Sequence, residues 1–235
     1  MSKVLVISDT HINPATPENG IWAWAGLAFY CIKHKPDYIV HLGDVADLDS
    51  QAWLVKNRGK FTLEQEIEAI EDCLINFHGV LDEYNAKRRK IKMKMYRPTL
   101  VLTLGNHDVR NNITNVEELF EAYGWDVYPY LDPVQIDGFS FCHALRNGLS
   151  ENVCVTAKEL LENWHGNIVV GHGHHRDYYE SYSLATNSQI YALKSPCFMY
   201  TPSEWAVQTR NKWSLGFTEI DTETGSFVWR GMECL

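Results

Sequence analysis

Apolar and polar positions follow two rhythms along this chain. Four short apolar runs show no alternation: Val4–Ile7, Tyr38–Leu42, Leu100–Leu104 and Ile168–Val170. Unbroken runs of that length read as strands buried on both faces, as in a parallel sheet. Each run breaks into a polar cluster at its end: Ser8-Asp9-Thr10-His11, Gly43-Asp44-Val45-Ala46-Asp47, Gly105-Asn106-His107-Asp108 and Gly171-His172-Gly173-His174-His175. In open α/β sheets the carboxyl edge of the strands is where ligands bind.

The second rhythm is helical. Ile67, Ile70, Leu74, Phe77, Leu81 and Tyr84 recur at steps of three and four, and Thr62 with Gln65 forms a capping-box pattern ahead of them. Glu64, Glu66, Glu68 and Glu71 crowd the first turns and Lys87-Arg88-Arg89-Lys90 the end, matching the helix dipole. A second helix is expected over Ile21–Lys33, apolar on more than one side, after a loop from Thr10 to Gly20 marked by Pro14, Pro17 and Gly20. Shorter helices are expected over Val116–Tyr123, stopped by Gly124, and Ala157–Trp164; Asp49–Gly59 reads as irregular or a short helix. Strand-like pieces fall at Trp125–Tyr130, Val134–Ile136 and Phe139–His143, the last two joined by an Asp137-Gly138 hairpin turn. The tail reads as β, with Gln189–Leu193, then Trp213–Asp221 paired to Ser226–Gly231. With no repeat or linker, residues 1–235 read as one domain, an α/β sandwich of mixed sheets flanked by helices.

Composition changes this picture little. The chain is 45% hydrophobic and 22% charged, ordinary for a soluble globular protein, with no apolar run long enough to cross a bilayer. Met1-Ser2-Lys3 leads straight into a strand, so the expected location is cytoplasmic. The six cysteines show no C-x-x-C spacing and read as reduced small hydrophobes. A net charge of −9 argues against a chain coated by default in nucleic acid, although bound cations reverse the field locally. The basic run continues through Lys92, Lys94 and Arg97; it reads as a solvated helix end and connector, entering the third strand at the end away from the polar clusters.

The clusters carry the chemistry. In extended chain, residues two apart face one side, so Asp9-Thr10-His11 and His172-Gly173-His174 can each present two ligands to one cavity. Carboxylate, amide and imidazole donors without thiolate suit manganese, iron or zinc. A carboxylate with ligands on both flanks can bridge two ions about 3.5–4 Å apart, the spacing of two-metal phosphoryl-transfer sites. Asp44 is the candidate bridge.

In this order, Asp9-x-His11, Gly43-Asp44-x-x-Asp47, Gly105-Asn106-His107-Asp108, a lone His143 and Gly171-His172-x-His174 resemble the calcineurin-like metallophosphoesterase superfamily over residues 9–174. The resemblance implies a four-layer α/β/β/α sandwich. It implies two divalent transition-metal ions, manganese foremost with iron, zinc or nickel as alternatives. Asp9, His11 and His174 would hold one ion, Asn106, His143 and His172 the other, with Asp44 between. A hydroxide bridging the ions would attack phosphorus in line. His107 would stay off the metals and stabilise phosphoryl oxygens or protonate the leaving oxygen. Asp108 would orient His107, and Asp47 would support the ligands from behind. Ala144 follows His143 where many relatives have Gly, so His143 rests on its position between blocks. Leu48 and Asp49 follow Asp47, unlike the Gly-Asp-x-Val-Asp-Arg-Gly of the family's protein phosphatases.

The expected activity is therefore hydrolysis of a phosphodiester, in a nucleotide or other small diester, without membrane involvement. The alternatives are a DNA or RNA nuclease of the same superfamily, a phosphomonoesterase, or a binding scaffold that has lost catalysis. Arg110, Arg146 and His175 are the candidates for substrate contact, with Asn111, Asn112 and Asn147 beside them. His41, inside the second strand, reads as a satisfied core or supporting histidine. Trp22 and Trp24 read as packing residues, with stacking on a base or sugar the minor alternative; nothing assigns Trp205, Trp213 or Trp229 to core or interface.

Overall fold

The computed structural model describes residues 2–15, 17–52, 60–148, 150–200 and 212–235; Trp205 and most of the 49–59 stretch lie outside them. Two sheets face each other. The first has strand order β11-β10-β1-β2-β3-β4 and the second β5-β6-β7-β9-β8. In the first, β1 (Lys3–Ile7), β2 (Tyr38–His41), β3 (Thr99–Thr103) and β4 (Asp126–Tyr128) run parallel, and β10 (Phe217–Asp221) and β11 (Ser226–Arg230) return antiparallel. In the second, β6 (Phe139–Cys142), β7 (Asn167–Val170) and β9 (Ser188–Lys194) are parallel, with β5 (Val134–Ile136) and β8 (Asp177–Ser183) antiparallel at the edges.

Three apolar layers separate four structural ones. Val4, Val6, Val40, Val101 and Ile220 of the first sheet meet Phe141, Val169 and Leu193 of the second. On the outer face of the first sheet, Leu5, Ile7 and Ile39 pack against Trp24 and Leu27 of α1 (Pro17–His34), Phe77 of α2 (Leu63–Lys90) and Phe120 of α3 (Asn115–Ala122). Leu160 and Leu161 of α4 (Ala157–Trp164) cover Ile168 and Val170 on the outer face of the second. Residues one apart on β1 thus enter different layers, which is why the run shows no alternation. The result is an α/β/β/α sandwich. No helix among the described residues is long and apolar enough to cross a membrane.

The α2 capping box forms as expected, Thr62 accepting from the Gln65 N–H and Gln65 accepting from the Thr62 N–H. The Asp137-Gly138 turn has both residues at positive φ, the geometry a tight hairpin needs. Two elements depart from expectation. α1 begins at Pro17, not near Ile21, because proline suits a first helical turn. β8 was not foreseen: its sequence, Asp-Tyr-Tyr-Glu-Ser-Tyr-Ser, lies on a largely exposed edge and carries no buried alternation to read. The cysteines are all unpaired, five of them buried. Trp24 is core, but Trp22 is 66% exposed and does not pack as expected.

Candidate metal centre

β1, β2, β3 and β7 all deliver polar loops to one rim, and β6 adds His143. Asp9 and His11 follow β1, Asp44 and Asp47 follow β2, Asn106–Asp108 follow β3, and His172 and His174 follow β7. The loops are not extended. Asp9, His11, Asp44, His172 and His174 all have φ between 42° and 63°, the left-handed region that non-glycine residues rarely occupy. Residues two apart do share the cavity here, but not by lying in extended chain. Kinks, not extended chain, turn these side chains together, and such strain persists where surrounding structure over-determines it.

The over-determination is visible. Gly43 and Gly105 press backbone to backbone: a Cβ on Gly43 would lie 2.3 Å from the Gly105 nitrogen, and one on Gly105 2.2 Å from the Asp44 nitrogen. Asp108 then clamps the two loops, accepting N–H bonds from Asp44 (2.9 Å), Val45 (3.0 Å) and Gly105 (2.8 Å). This corrects the expected role of Asp108. Its carboxylate holds backbone, not His107. Burial, with the Asp44 charge adding to it, pushes its pKa up to about 6.

Two donor groups share Asp44. Asp9, His11, Asp44 and His174 form one, and Asp44, His143 and His172 the other. In the first, His11 Nε2 lies 3.1 Å from His174 Nε2, which is 3.2 Å from Asp9 Oδ1. Asp9 also accepts from Ser8 Oγ and, at 3.0 Å, from the His172 N–H. Burial opposes its charge, yet His174 beside it holds the carboxyl well below its usual range. Asp47 accepts from His11 Nδ1 at 3.0 Å, which leaves the Nε2 lone pair facing the centre. Its other oxygen accepts from Asn13 at 2.9 Å, so both are in use. A further grouping places Asp47 with His11 and His107.

In the second group, the Leu42 carbonyl can only accept, so His143 Nδ1 donates to it at 2.7 Å. His143 Nε2 then points at Asn106 Oδ1 (3.1 Å), His172 Nδ1 (3.1 Å) and Asp44 Oδ2 (3.4 Å). Acceptors crowding one point call for a positive charge. A proton can supply it: burial opposes this, but the Asp44 carboxylate raises the His143 pKa to about 9. A divalent cation satisfies the same donor set, oxygen and imidazole without thiolate. The residues fit a metal.

His107 belongs to neither of the two groups that share Asp44. Its Nδ1 donates to the Asp47 carbonyl at 2.9 Å and its Nε2 accepts from Arg110 at 3.0 Å. Its own N–H donates to Asp44 Oδ1 at 2.8 Å, fixing the bridge candidate from the far side. Burial lowers its pKa to about 4, and Arg110 contributes. Arg110 also bonds the Asp47 carbonyl at 2.6 Å, so it is at the centre. His175 turns back onto the Gly173 carbonyl and closes its own loop. Arg146 is exposed. His41 is a satisfied core histidine: Nδ1 accepts from the Gly43 N–H at 3.0 Å, Nε2 faces Thr10 Oγ1 at 3.1 Å, and Trp24 stacks on its ring. Sequence reasoning missed Trp213, whose ring meets His174 edge-on at 4.2 Å, and Tyr130, at 5.9 Å from His143. Neither belongs to a motif, and no sequence signal marks them.

The rim of this α/β/β/α sandwich gathers buried aspartates and histidines into groups that could hold metal ions. A family model described as calcineurin-like phosphoesterase matches residues 2–206, and the chain belongs to that family. The family implies divalent metal ions, which the donor set above accommodates. No curated protein matches the chain by sequence. Among solved structures, it is similar to the E. coli phosphoesterase Yfce at 14% identity, over 98% of this chain and 99% of that one, with TM-score 0.48. It is also similar to Pseudomonas putida nuclease MPE at 17% identity, over 86% and 78%, with TM-score 0.39. These two distant likenesses say nothing of substrate.

Proposed function

We propose that this phosphoester hydrolase is a phosphodiesterase with two divalent cations, acting on a nucleotide or another small phosphodiester. The observation that supports it most directly is the membership of Asp44 in both donor groups, with one face of its carboxylate tied to the His107 N–H. Asp9, His11 and His174 would hold one cation; Asn106, His143 and His172 would hold the other; Asp44 would be common to both. Manganese is the ion we assign, with iron, zinc or nickel as alternatives. Bound there, such ions lower the pKa of water toward neutrality and offset charge on the departing oxygen.

The chain's own groups do the rest. The His107 tautomer is fixed by its carbonyl partner, so its Nε2 carries a lone pair and not a proton while Arg110 donates to it. The pair presents the Arg110 guanidinium as the donor for a phosphoryl oxygen. His107 aims that guanidinium, and it protonates a leaving oxygen only after releasing Arg110 and taking up a proton. Asp47 holds His11 and His107 in one frame through its carboxylate and its carbonyl.

The test is a substrate panel with manganese: bis-p-nitrophenyl phosphate, p-nitrophenyl phosphate, cyclic nucleotides and labelled DNA. Diesters should be cleaved well ahead of the monoester; cleavage confined to DNA would replace this reading with the nuclease. His107→Ala should lower turnover about 10²–10⁴-fold with metal content intact. Asp44→Asn should lose metal. Equal metal loss in both variants overturns the division of roles.

A further inference from the structure

A chain of net charge −9 places seven positive and no negative side chains in residues 87–97. Three of them, Arg88, Lys94 and Arg97, line a cavity of about 620 Å³ together with Lys35, Asp37, Met95 and Tyr96. The end of α2 explains part of this: Arg88 donates to the Lys94 carbonyl and to Tyr84 Oη, and Lys87 pairs with Glu83. Asp37 is engaged by the Lys3 N–H. Dipole complementarity does not explain the rest. The exposed guanidiniums of Arg89 and Arg97 both turn onto one neutral thioether, Met95 Sδ, at 3.7 and 3.9 Å. Two cations thus meet at one thioether, and neither makes an ion pair among the described residues. Lys35 adds a third charge, its Nζ lying over the rings of Tyr84 and Tyr96 at 3.9 and 4.3 Å. Lys90, Lys92 and Lys94 make no ion pair among the described residues; Lys90 and Lys92, exposed and outside the cavity lining, continue the charge along the chain as a strip.

We propose that this strip docks the phosphodiester backbone of a single-stranded nucleic acid, with one phosphate taken between Arg89 and Arg97. Paired guanidiniums suit a phosphate's oxygens, and a strip longer than one phosphate suits a strand better than a small anion. It lies before β3, whereas the metal centre lies after it. Eight residues lie between Arg97 and Asn106, nine steps or about 25–30 Å of extended chain. The strip is therefore a remote anchor for a polymer, and its occupancy does not depend on the proposed hydrolysis.

The test keeps the two apart by working without metal. A 5′-labelled single-stranded oligonucleotide is titrated with the full chain in EDTA, followed by anisotropy at several salt concentrations. Wild type should bind. The R89A/R97A variant should bind at least about ten-fold more weakly, with its salt slope shallower by about 1.4 for two lost contacts. R89K/R97K should keep most of the affinity, and H172A, altered at the metal centre, should match wild type. No binding by wild type, an unchanged slope in R89A/R97A, or loss of binding in H172A would each overturn the proposal. So would inorganic pyrophosphate competing as well, per phosphate, as unlabelled strand.

Discussion

Asp108 offers the sharpest test of how the centre is built. Its carboxylate receives three backbone N–H groups, two from the loop after β2 and one from the loop after β3. It is 1% exposed, so bulk water does not reach these donors in the folded protein. In Asp108→Ala all three donors are left buried and unpaired, at about 1–3 kcal/mol each. Relaxation recovers part of that, leaving about 3–5 kcal/mol. In Asp108→Asn one oxygen still serves Asp44 and Gly105, but the amide NH₂ faces the Val45 N–H, a loss of about 1–3 kcal/mol. For a chain of this size each kcal/mol moves Tm by about 2–4 °C, so Asn should melt about 2–12 °C low and Ala about 6–20 °C low. Because the clamp holds Asp44, manganese affinity measured by calorimetry should fall in the same order. The contrary case, a carboxylate serving only to orient His107, has a different signature: kcat drops while Tm and metal affinity hold. That pattern for Asp108→Asn would refute the clamp.

Three further outcomes follow from the same geometry. Burial holds the His41 pKa down at about 3, so the folded protein resists a proton that the unfolded chain accepts near 6.5. Its contribution is complete above pH 6.5 and is lost as pH falls toward 3, at about 1.4 kcal/mol per unit. Denaturant melts at pH 7 and 5 should show a drop about 2 kcal/mol smaller in His41→Gln than in wild type; an equal drop refutes the assignment. Gly105→Ala puts a methyl 2.2 Å from the Asp44 nitrogen and should cost about 3 kcal/mol and abolish metal retention, read by elemental analysis. Removing metal with a chelator should lower Tm, because ions binding only the folded state stabilise it by mass action; an unchanged Tm in both metal-loaded and stripped protein would refute that linkage.

The chain's local order was legible because the forces that set it act over a few residues. α2 follows from its apolar spacing and the Thr62–Gln65 cap, and the β5–β6 hairpin from Asp137-Gly138. The strand-end motifs were legible too, since an apolar run ending in Gly-Asp or Gly-Asn-His carries its own placement at a sheet edge. What the sequence did not determine is how those ends are held. Asp9, Asp44, His143 and His172 lie up to 163 positions apart, and their approach depends on left-handed kinks at Asp9, Asp44 and His172 that residue type alone does not impose. β8, Trp213 and Tyr130 have meaning only against partners supplied by distant strands. Asp108 shows the limit most clearly. Its neighbour in sequence is His107, but burial leaves its charge to be met by whatever N–H groups the packed loops bring, and only tertiary structure decides which those are.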